Sequence, residues 1–108
     1  MEGLELQAKI NDDLNKAIQL YKERGRAYAE KERIYRVLLS KLILSYRAEG
    51  MPVTIISDVC RGDDSVALAK FERDCAQSEY ESLKEALYTK RLQLKIARAE
   101  VEEDRRGM

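Results

Sequence analysis

The chain has 108 residues, balanced acidic and basic side chains, 37% charged residues, 6% aromatics, and neither Trp nor His. That length allows one domain, and that composition favours long solvated helices over a thick globular core. The lack of His removes the usual general base and the commonest metal ligand, and net neutrality leaves any electrostatic partner to a local patch.

The first predicted element is a helix over about residues 4–49, a stretch with no Pro and one interior Gly. Tyr21, Tyr28 and Tyr35 recur every seven residues, with Leu14 and Leu42 extending the row. A second row offset by four holds Ile18, Gly25, Glu32, Leu39 and Tyr46. Two such rows form the seam of a helix packed on another helix. A further apolar row includes Ala17, Leu20, Ala27, Ile34, Val37, Leu38 and Leu44. A two-helix hairpin covers only one face of each helix, so Leu20, Ala27, Ile34, Val37, Leu38 and Leu44 are the candidate oligomer interface. A homo-oligomer, dimeric or higher, is expected. Glu32 on the seam is a local inconsistency of the type that sets register or contacts a partner.

Glu49-Gly50-Met51-Pro52 ends the helix, because Gly takes the left-handed conformation and Pro pushes its predecessor out of the α region. A connecting loop over about residues 50–64 follows, longer than most helix–helix connections. It is apolar, and the β-branched Val53-Thr54-Ile55-Ile56 reads as extended. Ser57 or Asp58 then caps one short helical turn ending at Gly62. Such a loop either folds back over Leu42, Ile43, Tyr46, Leu68 and Phe71 or docks a partner. Its candidate partner-binding residues are Met51, Val53, Ile55, Ile56, Val59 and Arg61.

Asp63-Asp64-Ser65 offers oxygens to orphan amides, and the second helix is predicted over about residues 65–106. Its seam is Ala76, Tyr80, Leu83, Leu87, Lys90, Leu94, Ala97 and Val101. Folding the chain about the middle of the loop pairs Leu14 with Val101, Ile18 with Ala97 and Tyr21 with Leu94. It also pairs Tyr28 with Leu87, Tyr35 with Tyr80 and Leu39 with Ala76, and sets Gly25 opposite Lys90. The predicted fold is an all-α antiparallel two-helix hairpin, coiled-coil-like, forming a single domain over residues 1–108.

In that register the window Lys16 to Ala29 lies beside Ala86 to Ala99, and the two together carry eight positive charges and one negative. Lys22, Arg24, Arg26, Lys90, Arg91, Lys95 and Arg98 are the candidate nucleic-acid-binding residues, with Tyr88 as a stacking surface; pairing with the acidic segments of a second copy and a solvated face of mixed charge are the other readings of this band.

Other chemistry finds little footing. The five glycines form no phosphate-cradling cluster, and Cys60 and Cys75 have no zinc spacing. Asp58, Asp63 and Asp64 lack the spacing of a calcium loop. Arg61-Gly62-Asp63 matches an integrin-binding tripeptide but is explained by a turn Gly and a capping Asp. No cofactor, metal or catalytic residue is expected. The most apolar stretch, Ile34 to Tyr46, is too short to span a membrane and carries Arg36 and Lys41. The N-terminus has no secretion-signal pattern, so a cytoplasmic location without membrane association is expected.

The stretch Glu49-Gly50-Met51-Pro52-Val53-Thr54-Ile55-Ile56-Ser57-Asp58-Val59-Cys60-Arg61-Gly62-Asp63, with Val66 to Ala76 and Tyr80 beyond, resembles the centre of small phage and prophage proteins of Gram-positive bacteria. These share Gly-x-Pro-Val-Thr and Arg-Gly-Asp elements between two long helices. They are functionally uncharacterised and tend to accompany early DNA-metabolism genes. The resemblance implies a non-enzymatic phage accessory protein, an adaptor or scaffold binding an unidentified phage or host protein. A nucleic-acid-binding accessory, an inhibitor of a host defence enzyme and a purely structural coiled-coil subunit are the alternatives.

Overall fold

A computed structural model describes residues 2–107. The described residues form an all-α structure of three helices: α1 (Glu2–Ala48), α2 (Val53–Arg61) and α3 (Asp64–Arg106). They divide into two compact units. A terminal unit takes the residues up to Glu23 together with those from Tyr80 onward, and a central unit comprises Arg24–Glu79.

α1 ends on a backbone motif that the sequence announces. Gly50 has φ +84°, its N–H donates to the Arg47 carbonyl at 3.1 Å, and the Met51 N–H donates to the Tyr46 carbonyl at 3.1 Å. This pair of bonds satisfies carbonyls that a helix end leaves orphaned, and only the left-handed residue lets the chain turn back to make them.

Pro52 then stands at the N-cap of α2, where its missing N–H costs nothing. The extended reading of Val53–Ile56 is overturned, since these residues open a nine-residue helix. Their β-branches favour strands, but Ile56 and Cys60, four residues apart, are buried. Burying that face outweighs a weak intrinsic preference. Most of the segment predicted as loop is therefore α2. It ends at Gly62, and the Asp63 carboxylate accepts from the N–H groups of Ser65 (3.0 Å) and Val66 (3.1 Å), capping α3.

The seam rows come out as read. Leu14, Ile18, Tyr21, Gly25, Tyr28, Glu32, Tyr35, Leu39, Leu42 and Tyr46 are all half-buried. On α3, Ala76, Tyr80, Leu83, Leu87, Lys90, Leu94, Ala97 and Val101 are all buried or half-buried.

The pairing between the rows does not. In the terminal unit Tyr21 stacks on Tyr80, with ring centroids 4.6 Å apart and hydroxyls hydrogen-bonded at 2.8 Å, where Leu94 was expected. Lys90 meets Asp13 at 3.7 Å, not Gly25, and Ile10 packs with Leu94, Ala97 and Leu14. In the central unit Tyr35 lies under the Arg73 guanidinium at 4.6 Å, not against Tyr80, and Lys31 reaches Glu72 at 3.0 Å. The partners on α3 are displaced by roughly two to four helical turns. The cause is the position of the turn: α1 and α2 are separated by Glu49–Pro52 alone. The return begins at Val53 rather than after a loop centred several residues later.

Candidate interaction surface

The shifted pairing first dissolves the basic band. Lys16 to Ala29 was predicted to face Ala86 to Ala99; instead Arg24 lies 3.6 Å from Glu79, and Tyr21 stands against Tyr80. Lys90 pairs with Asp13, and Lys16 with Asp12 at 3.0 Å. The side chains of Lys22, Arg26, Arg91, Lys95 and Arg98 are exposed, but the two windows do not stand side by side. Tyr88 is 60% exposed in the terminal unit. The dense two-sided patch that a phosphate backbone would grip is not formed by this pairing.

The candidate docking residues split by helix face. Ile56 is 4% exposed and belongs to the core of the central unit, which corrects its assignment as a contact residue. Met51 and Val59 are half-buried, whereas Val53, Ile55 and Arg61 are exposed. The Arg61 guanidinium lies 3.4 Å from Asp58, one turn earlier on α2. Of the α1 row, Leu20, Ala27, Ile34, Val37 and Leu44 are exposed, and Leu38 is half-buried.

Leu68 and Phe71 are a further correction. They were expected beneath a folded-back loop, yet they are 57% and 64% exposed. Their neighbours Val66 and Ala69 fill the buried positions of that turn. Extending the α3 seam back from Ala76 and Tyr80 by sevens would have reached Ala69 and Val66, leaving Leu68 and Phe71 outside. Phe71 itself lines an open groove of about 590 Å³, together with Tyr35, Leu39 and Ile43 of α1, Ser57 and Arg61 of α2, and Val66, Ala67, Lys70 and Asp74 of α3. The terminal unit has a smaller groove, about 390 Å³, between Leu6, Ile10, Ile96 and Ala97 with Lys9, Asp13, Lys90 and Glu100 at its edges.

Charge is organised next to the larger groove. Arg73 reaches Glu32 at 3.2 Å and Asp74 at 2.8 Å; Arg36 holds the other Glu32 oxygen at 2.6 Å, and Lys70 holds Asp74 at 2.9 Å. Glu32, the inconsistency on the α1 seam, is thus satisfied by two guanidinium groups. Hydrogen bonds from Arg36 first, and from Arg73, hold its carboxyl below the ordinary value, and Lys70 and Arg73 do the same for Asp74. Contact with Asp74, then Glu32, raises Arg73.

Among the described residues no three Cys, Asp or Glu side chains stand together as a metal site. No helix there is long and apolar enough to cross a membrane. No protein-family model, curated protein or solved structure matches the chain.

Proposed function

We propose that this protein is a non-enzymatic interaction module, a coiled-coil-like helical hairpin that self-associates and docks another protein through side chains of its central unit. The observation that carries this reading is the set of large apolar side chains left in water there; the terminal unit exposes a smaller set, Leu6, Tyr88, Leu92 and Ile96. Val37, Leu44, Val53, Ile55, Leu68 and Phe71 are each more than 40% exposed, on all three helices of the central unit. Scattered single apolar residues need no explanation, but a set of this size on one small unit marks an interaction surface. The resemblance of residues 49–63 to phage and prophage proteins supports an accessory role in such a genome, with a phage or host protein as partner.

Affinity purification from the native bacterial host, with and without nuclease, compares the wild type with a Val53→Ser, Ile55→Ser double variant. Both residues are exposed, so each replacement should change stability by less than about 0.5 kcal/mol. The expected result is one protein captured regardless of nuclease by the wild type and lost by the variant at unchanged helix content. Capture abolished by nuclease would instead favour nucleic-acid binding.

A further inference from the structure

Tyr21 of α1 and Tyr80 of α3 meet inside the terminal unit as a stacked pair, with ring centroids 4.6 Å apart and planes 19° from parallel. Their hydroxyl oxygens are closer still, at 2.8 Å, the Tyr21 hydroxyl donating to Tyr80. The two rings therefore converge toward their oxygen ends. A phenol that loses one electron and its hydroxyl proton becomes a radical whose unpaired electron is shared between the oxygen and the ring carbons beside and opposite it. The opposite carbon already carries the side chain, so the carbons beside the oxygen are the ones free to form a bond. Those are the carbons that this geometry brings together, and contact replaces a rare encounter of two radicals by a step within one molecule.

The surroundings of other tyrosines suit this chemistry less well. Tyr35 lies under the Arg73 guanidinium at 4.6 Å, and a cation on the ring face opposes removal of an electron from it. Tyr88 is 60% exposed, so a radical there is open to a second chain. Tyr21 and Tyr80 are both half-buried, near enough to solvent to pass an electron to an outside oxidant.

We propose that Tyr21 and Tyr80 form an oxidative modification site, at which two equivalents of a one-electron oxidant, such as an oxidised haem, join them as an intrachain dityrosine. Each ring gives one electron to the oxidant and its hydroxyl proton to water. The two radicals form one carbon–carbon bond between carbons beside their oxygens, and the hydrogen on each of those carbons moves as a proton to restore each hydroxyl. The product has lost two hydrogen atoms and nothing else. The two residues lie 59 apart in sequence, so the bond restricts the unfolded chain as a disulfide does, and it fastens α1 to α3 against sliding.

The test is brief photo-oxidation by ruthenium(III) tris(bipyridyl), generated with light and persulfate, on the wild type and the Tyr21→Phe, Tyr80→Phe and Tyr88→Phe variants. Mixed light and heavy isotope samples separate links within a chain from links between chains, and the wild type is oxidised both folded and in denaturing urea. The folded wild type should give one intrachain link between the Tyr21 and Tyr80 peptides, stable to thiol reduction and with the blue fluorescence of dityrosine. Intrachain dityrosine should fall about tenfold or more in Y21F, in Y80F and in urea, and stay unchanged in Y88F. The linked protein should keep its helix content to higher urea than the unlinked one. A Tyr21–Tyr80 yield no greater in the folded protein than in urea would overturn the proposal. Links mainly between chains, or from Tyr80 to Tyr35, would overturn it as well. The folded-against-urea comparison decides even where a Phe variant loses helicity.

Discussion

The terminal and central units are built from the same two long helices yet hold together differently. The terminal unit buries Ile10, Leu87, Leu94 and Ala97 and adds a tyrosine pair, Tyr21 on Tyr80. The central unit buries Ile56, Cys60, Val66 and Ala69, two of them from α2, and joins α1 to α3 by Arg24–Glu79, Lys31–Glu72 and Glu32–Arg73. Apolar burial is nondirectional and tolerates sliding; a guanidinium held by a carboxylate and an aromatic face is not so tolerant. Directional contacts therefore set register in both units: three ion pairs between α1 and α3 in the central unit, and one, Lys90–Asp13, beside the Tyr21–Tyr80 hydrogen bond in the terminal unit.

The largest expected effects are in the two apolar cores. Leu87→Ala in the terminal unit and Ile56→Ala in the central one should each cost about 2–5 kcal/mol in urea unfolding. I56A should also release α2, read as lost amide protection confined to residues 53–61. Equal protection in wild type and I56A would show that α2 is not held by that side chain.

Smaller, and specific to the central unit, is Arg73→Met. It removes the ion pair and the cation on Tyr35 while keeping an apolar stem, for a cost of about 1–2 kcal/mol. Arg73→Lys keeps the charge without the planar fork and should restore less than half of the loss. Full rescue by Lys would mean that charge alone matters there. Next comes Gly50→Ala: a Cβ meets no atom within 4 Å, but φ +84° strains any other residue, by about 1 kcal/mol.

The units should also separate by pH. Glu32 and Asp74 have lowered values, so their contribution is present above the ordinary values of 4.5 and 3.8 and is lost as pH falls through the lowered ones. Tyr80 is raised by its hydrogen bond with Tyr21 and by partial desolvation, so its contribution is present below 10 and is lost as pH rises through the raised value. Amide exchange across the pH range should show the central unit loosening first in acid and the terminal unit first in alkali. Glu32→Gln should flatten the acid limb alone.

What was legible in the sequence follows from this contrast. The seven-residue rows identified the inward face of α1 and α3, because burial follows helical period whatever the partner. Gly50, Pro52 and Asp63 marked helix ends, because capping is local chemistry. Register was not legible, since it depends on where the chain reverses, and of α2 only the turn ending at Gly62 was read as helical. A short apolar run with Val53, Thr54 and Ile55 satisfies strand and helix patterns alike; only the burial of Ile56 and Cys60 decides. That one displacement also produced the basic band, which vanished with it, and hid the exposure of Leu68 and Phe71.

The pairing of α1 with α3 underlies the surface, the loss of the band and the groove, and zero-length carbodiimide crosslinking tests it on the unmodified protein. Mixed light and heavy isotope samples separate links within a chain from links between copies. The structure predicts intrachain amides joining Lys31 to Glu72 and Lys90 to Asp13, whose ammonium nitrogens and carboxylate oxygens lie 3.0 and 3.7 Å apart. Intrachain links of Lys31 to Glu85 and Lys90 to Glu23 instead would restore the register with the basic band and contradict the account.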